Sequence, residues 1–331
     1  MTRKNKTLIS VIAFVLIFGA LLTVATFYDL EISKILTRNA LAAHTYSTNE
    51  TTFGVLFEII GCDAVYFLIA FAVHILFWYG VRVKKGTAGI ILAFAATATA
   101  VGDYYVLASD TFGYIKTHLT ISSGASLDKG MFLNATYAFF AVLFTFLGTM
   151  AARNFTEEQT RKLFRFAVAA LILSAVPSLL INEVIKEPVG RIRFRAMNLN
   201  PDDPTYGFAA FARWYEVNGQ WIDDETKREI FGTTDALKSF PSGHTAGAGM
   251  SYGVIMLIDA LGIKNKKAKA ALWICPVVFT GCVAVARIIV GAHFMSDVLV
   301  GGTMSFVTMI IVREILICRG ANVKALFGKE Q

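Results

Sequence analysis

Eight apolar stretches, each close to the length of a bilayer crossing, limit what this chain can fold into: 8–28, 62–81, 87–107, 131–151, 163–185, 243–262, 270–290 and 295–317. About 20 apolar residues in a helix span the hydrocarbon core, and a chain carrying eight such runs belongs in a membrane. Composition agrees, with 55% hydrophobic and 17% charged residues and a mean hydropathy of +0.57, against roughly a quarter charged in soluble domains. The expected fold class is therefore all-α: a polytopic membrane helical bundle of about eight transmembrane helices. The first run follows a basic start containing Arg3, Lys4 and Lys6. It is longer than the roughly 7–15 apolar residues of a signal peptide and lacks a clear cleavage site, so a retained anchor is expected.

Charge orients the bundle. With a cytoplasmic N-terminus, eight crossings return the C-terminus to the same side. The inner segments then hold Arg82/Lys84/Lys85, Arg153/Arg161/Lys162/Arg165, Lys264/Lys266/Lys267/Lys269 and Arg313/Arg319/Lys324/Lys329, while most of the 24 acidic residues fall outside. This is the positive-inside pattern. It accounts for the net charge of +7 without a nucleic-acid partner. The four cysteines lie in or beside the apolar runs, and no outward loop pairs two of them.

The chain divides into N-terminal membrane helices, 1–160, and a second part, 161–331, that holds all the candidate chemistry. On this topology that chemistry lies on the outer side. The longest polar stretch is 186–241, whose aromatic passage Phe211-Ala-Arg213-Trp214-Tyr215-Glu-Val-Asn218-Gly219 reads as an ordered cap. Lys186 ends the fifth run and Pro188 follows, so a helix is expected to stop there. Gly190-Arg191-Ile-Arg193-Phe-Arg195 crowds three guanidinium groups together. An interfacial basic cluster snorkelling to headgroups explains such a motif equally well on charge alone. On the outer side, however, planar guanidinium forks suit phosphate oxygens better.

Pro241-Ser242-Gly243-His244 precedes a run of small residues. Ser242 reads as an N-cap, and the amides that follow would meet an anion at the positive end of the helix. A capping serine beside an incidental histidine is the plainer reading of that tetrapeptide. Arg287 near a helix end could equally satisfy carbonyls. His293 and Asp297 are harder to dismiss: they lie four apart, on one helical face, beside span-length apolar sequence where ionisable groups are expensive. A carboxylate that accepts one imidazole N–H leaves the other nitrogen with a free lone pair, and so makes a nucleophile. His74, alone in a span, reads as a hydrogen-bonder within the bundle. His44 and His118 have no ligand spacing near them, and Asp103 lacks a partner in sequence. No HExxH or CxxC occurs, so neither a metal nor another cofactor is expected.

Taken together, Lys186 with Arg193, Pro241-Ser242-Gly243-His244, and Arg287 with His293 and Asp297 resemble the three signature blocks of the type 2 phosphatidic acid phosphatase (PAP2) superfamily, in order and at helix ends. The chain departs at Phe194, where the family usually has proline, and at Ala286, where a serine often precedes the arginine. The family core has six helices, so two of the first four spans would be an elaboration.

The resemblance implies a phosphohistidine on His293, oriented and charged by Asp297. Lys186, Arg193 and Arg287, with the amides near Ser242 and Gly243, would hold the phosphoryl oxygens. His244 would protonate the leaving alkoxide and then activate water. The residues alone do not rank His244 against the arginines. The implied protein is a metal-independent integral membrane hydrolase of a lipid phosphate or diphosphate monoester. It would sit in the bilayer, with a bacterial inner membrane and an extracytoplasmic site as the expected setting and no obligate protein partner. Three alternatives stand beside it, and the eight spans argue against one of them, the soluble haloperoxidase branch that uses vanadate in this kind of site. A phosphotransferase would pass the same phosphoryl group to a lipid or sugar hydroxyl. A non-enzymatic lipid-binding or transport protein on the same fold would be expected to have lost a catalytic residue, and none is lost.

Overall fold

The computed structural model describes residues 2–38, 51–123, 130–217 and 222–327. His44, Asn218, Gly219 and the side chain of His118 lie outside what is described. Seven helical stretches are long and apolar enough to cross a membrane: Lys4–Thr37, Thr52–Lys84, Gly86–Lys116, Gly130–Ala152, Glu157–Met197, Lys266–Ile289 and Met295–Ile317. The protein is a polytopic helical bundle. Within these stretches the helices are α1 (Arg3–Thr37), α2 (Thr52–Ile59), α3 (Asp63–Tyr79), α4 (Gly86–Ser123), α5 (Gly130–Ala152) and α6 (Glu157–Leu179). After the cap come α7 (Gly243–Gly249), α8 (Lys266–Ile289) and α9 (Met295–Val312).

The expected run 243–262 is absent from those seven because glycine, serine and histidine dilute its first half. It is helical nonetheless. α7 continues as a 3-10 segment, Met250–Met256, and a last α-turn, Leu257–Ala260. The longer rise of the 3-10 segment stretches these residues to about 30 Å, a bilayer's hydrocarbon depth. Its two ends confirm that it traverses the bundle beside α9. The amide of Ser242 donates to the Asp297 carbonyl at 3.0 Å at one end, and Arg313 Nη2 meets Asp259 Oδ2 at 2.6 Å at the other.

The central core joins α3, α4, α6, the 3-10 segment and α9, with Phe166, Leu163, Leu173, Ile75, Met250 and Met309 buried. Outer faces of α1, α4 and α5 expose Leu16, Ile90, Phe94, Phe132 and Phe139, as lipid-facing helices must. His74 bonds Thr149 Oγ1 (3.1 Å) and Tyr104 Oη (3.3 Å), tying α3 to α4 and α5. Asp103, one residue from Tyr104, is buried, with Oδ2 unpartnered among the described residues.

Helix ends depart from the sequence reading where they matter most. α6 begins at a capping box, Thr156 with Gln159, which satisfies two orphan donors reciprocally. It does not stop at Lys186. A π-turn, Leu180–Ile185, leads into a short helix, Lys186–Val189, which Gly190 ends in the left-handed conformation (φ 57°, ψ 29°). Pro188 falls in the first turn of that restarted helix, where its missing N–H costs little. α4 runs well past 107, because Asp110, Thr111 and Tyr114 interrupt its hydropathy but not its helix. Glu58 lies on α2, between the first two apolar runs.

Residues 194–217 and 222–240 form a cap with its own small core of Phe194, Met197, Phe231 and Leu237, joined by Phe294. It is latched to α1 by Trp214 Nε1 donating to Thr26 Oγ1 at 2.9 Å.

Candidate active site

The turn between α8 and α9 is shaped by Gly291 (φ 65°), and the amides of Ala292 and His293 both donate to the Arg287 carbonyl. This presents His293 inward, 1% exposed. Its Nδ1 lies 2.6 Å from the carbonyl oxygen of Ser239. A carbonyl can only accept, so Nδ1 carries the proton and the Nε2 lone pair is left free. Burial pushes the imidazole's proton affinity well below its usual range. The charges of Arg193, Arg287 and Lys186, and His244, act in the same direction. His293 is thus neutral at neutral pH.

The expected direct bond from Asp297 to His293 is not formed. Asp297 Oδ2 stands 3.9 Å from Nδ1, because three nearer donors claim the carboxylate. Arg191 Nη1 reaches Oδ1 at 2.5 Å, Ser239 Oγ reaches Oδ2 at 2.6 Å, and the Phe294 amide reaches Oδ2 at 2.8 Å. The last of these satisfies the amide of Phe294, the N-cap of α9. Asp297 therefore holds Ser239, and Ser239 holds His293. The helical spacing puts the two side chains on one face, but the backbone carbonyl gets there first.

Arg191 is the hub beneath. It is fully buried and bonds Asp29 Oδ2 (3.0 Å), Ser296 Oγ (2.8 Å) and the Ala212 carbonyl (2.9 Å), and its guanidinium lies 4.3 Å from the Phe294 ring centroid. Ser296 Oγ also donates to Asp29 Oδ2. Of the three crowded arginines, this one is structural. Arg193 reaches the Asp235 carbonyl through Nε (2.8 Å) and the Ala292 carbonyl through Nη1 (3.3 Å), so it is anchored next to His293. Arg195 turns to Asp235 Oδ2 at 3.2 Å. Phe194, in the family's proline position, is spent on the cap core, its ring 5.4 Å from that of Phe208.

Opposite His293, Ser242 caps α7 as expected, its Oγ accepting from the Thr245 amide at 3.3 Å. α9 approaches this turn so closely that a Cβ on Gly301 would stand 2.3 Å from the Ser242 carbonyl oxygen. Lys186 arches over the same helix start. Its Nζ lies 3.2 Å from Asn182 Oδ1 and would be 3.1 Å from a Cβ on Gly243. His244 Nε2 is 2.9 Å from the hydroxyl of Tyr114. Arg287 is buried, with Nη1 on Glu58 Oε1 at 2.5 Å and Nε unpartnered among the described residues. Lys186, Arg193, Ser242, Gly243, His244, Arg287, His293 and Asp297 are thus gathered at one end of the bundle.

Sequence reasoning missed Asp29, Glu58, Tyr114 and Ser239. Glu58 had a signal, as a lone carboxylate within the apolar stretch Phe53–Ile60. Asp29 and Tyr114 sat just past runs judged to have ended. Ser239 acts through its carbonyl as well as its hydroxyl, and no side-chain pattern announces a carbonyl.

Residues 165–317 match the family model for the PAP2 superfamily. That stretch contains all three motif blocks and is similar to the PAP2 superfamily, whose members are generally phosphatases. No curated protein matches the chain, nor does any solved structure.

Proposed function

We propose that the protein is an integral membrane phosphatase that hydrolyses a lipid phosphate or diphosphate monoester through a phosphohistidine, at the outer face of a bacterial inner membrane. The observation that carries this reading is the Ser239 carbonyl on His293 Nδ1, which leaves Nε2 as a desolvated, unprotonated nucleophile.

In the first step the Nε2 lone pair forms the N–P bond as the P–O bond to the leaving alkoxide breaks, and His244 supplies a proton to that oxygen. In the second, water attacks phosphorus, His244 takes its proton, and the N–P bond breaks to release inorganic phosphate. Lys186, Arg193, Arg287 and the amides after Ser242 hold the phosphoryl oxygens as negative charge spreads over them. General acid–base help of this kind contributes about 10²–10⁴-fold.

A hydrocarbon tail for the substrate is supported by a cavity of about 600 Å³ lined by Ile60, Asp63, Phe67, Phe71, Met250 and Phe279. Ile60, in its lining, is two residues from Glu58, the partner of Arg287, and apart from Asp63 and Ser251 the lining side chains are apolar. The test is hydrolysis by the purified protein, in excess EDTA, of phosphatidate, phosphatidylglycerophosphate, an isoprenyl diphosphate and a glycolipid phosphate. Turnover of at least one lipid ester is expected. Activity on none, or activity abolished by chelation and restored by Mg²⁺, contradicts the proposal.

A further inference from the structure

Three residues from outside the matched segment touch its motif residues. Asp29 of α1 bonds Arg191 and Ser296, Glu58 of α2 bonds Arg287, and Tyr114 of α4 bonds His244. The first two contacts lie behind charged groups and are scaffolding. The third lies on the imidazole that the proposed chemistry requires to gain and lose a proton.

We propose that Tyr114 is the positioning residue of the acid–base histidine: its phenolic oxygen accepts the Nε2–H of His244 throughout the cycle, so that Nδ1 is the atom that exchanges protons. This rests on the functional reading above. The Oη···Nε2 distance is 2.9 Å, and the two rings meet edge-to-face, centroids 5.5 Å apart at 78°. Among the described residues His244 Nδ1 has no hydrogen-bond partner, so Nε2 is the anchored nitrogen.

The proton balance follows. As imidazolium, His244 carries hydrogen on both nitrogens, and Nε2–H donates to the phenol. Breaking Nδ1–H and forming alkoxide O–H leaves a neutral ring with Nε2–H still on Tyr114 and a lone pair on Nδ1. That lone pair then takes the proton of the attacking water and restores the imidazolium. One unchanged hydrogen bond holds the ring through both half-reactions. Ser239 plays the same part for His293 with the nitrogens exchanged: a carbonyl on Nδ1 frees Nε2 there, and a phenol on Nε2 frees Nδ1 here. In both cases the tautomer is set by the oxygen on the opposite nitrogen.

The experiment is Tyr114→Phe, which keeps the ring and removes only the hydroxyl, assayed in the full chain alongside His244→Ala and the double variant. With a lipid phosphate, a poor leaving group, kcat is expected to fall at least ~10-fold, within the range that acid–base help supplies, with KM little changed. With nitrophenyl phosphate, whose leaving group departs unprotonated, the burst of phosphoenzyme should form at the wild-type rate and decay slowly. The double variant should be no slower than His244→Ala, because the two residues act as one unit. Equally slowed phosphoenzyme formation with both esters, no loss on either, or additive losses in the double variant would each overturn the role of Tyr114. Thermal unfolding of the variant near the wild-type temperature is also expected; a large fall would make the hydroxyl a structural strut and overturn it too. Failure of the unmodified chain to turn over any ester would overturn the functional reading itself. That result is distinct from an active wild type with an indifferent Tyr114→Phe.

Discussion

Replacing Asp297 by asparagine separates two accounts of that residue. If the carboxylate served only to charge and orient His293, the substitution would slow turnover and leave the fold intact. The structure gives it a different set of duties. It accepts from Arg191, Ser239 and the Phe294 amide with full burial, and its nearest approach to His293 Nδ1 is 3.9 Å. An asparagine whose oxygen faces Arg191 must turn its NH₂ toward Ser239 and the Phe294 amide, so the N-cap amide of α9 loses its acceptor, at a cost of about 1 kcal/mol. The larger cost falls on the buried guanidinium of Arg191, which loses one of its two carboxylate partners and keeps only Asp29. Removing one partner of a buried pair destabilises by about 3–5 kcal/mol. At roughly 2 °C per kcal/mol for a chain of this size, the unfolding temperature should fall by ~6–10 °C. Thermal unfolding in detergent, with turnover measured in parallel, is the assay. Both stability and kcat should drop, and Arg191→Met in the Asp297→Asn background should cost further stability, because it strands buried Asp29, though by less than the sum of the two single losses. A variant that unfolds at the wild-type temperature while losing activity would refute the scaffold reading and restore the direct Asp297–His293 partnership.

Gly301→Ala should cost stability and activity together, because the new Cβ would lie 2.3 Å from the Ser242 carbonyl oxygen and push α9 from the Ser242 turn. Overpacking of this kind costs about 1–3 kcal/mol, and wild-type activity in this variant would contradict the close approach. The acid limb of phosphoenzyme formation should lie below pH 6.5. Burial and the surrounding cations lower the proton affinity of His293, so its reactive neutral form persists as pH falls through the ordinary histidine range; an acid limb above 6.5 would mean that His293 is not so placed. In a background without the native cysteines, Glu225→Cys should react with an impermeant thiol reagent on intact cells and Lys266→Cys should not. The opposite pattern would invert the topology.

The bundle was legible in the sequence because a bilayer allows few ways to satisfy a buried backbone, and apolar run length reports helices directly. The site residues were legible for a related reason: Lys186, Arg287, His293 and Asp297 are ionisable groups beside apolar sequence, where each needs a justification. Hydropathy marks where lipid ends, and a helix does not have to end there. α1 and α4 continue beyond their apolar runs and bring Asp29 and Tyr114 into the site. Hydropathy also undercounts a crossing buried inside protein, so Gly243–Ala260 spans the bundle with glycines where its neighbours carry leucines. The relation of Asp297 to His293 could not be read from their spacing, since the competing acceptor is a backbone carbonyl brought in from residue 239 by the fold of the cap.

The central claim is that phosphorus passes through His293 Nε2. Brief reaction with a radiolabelled phosphate ester, rapid quenching, and peptide mapping of the trapped label tests it most directly, using the wild type, His293→Ala and His244→Ala. The label should reside on the peptide containing residue 293, through an acid-labile, alkali-stable N–P bond. It should be absent from His293→Ala with every ester. In His244→Ala, supplied with the nitrophenyl ester, it should accumulate because water lacks its base. Label that persists in His293→Ala, or a wild type and a His244→Ala variant that turn over ester without ever carrying label on residue 293, would contradict the account.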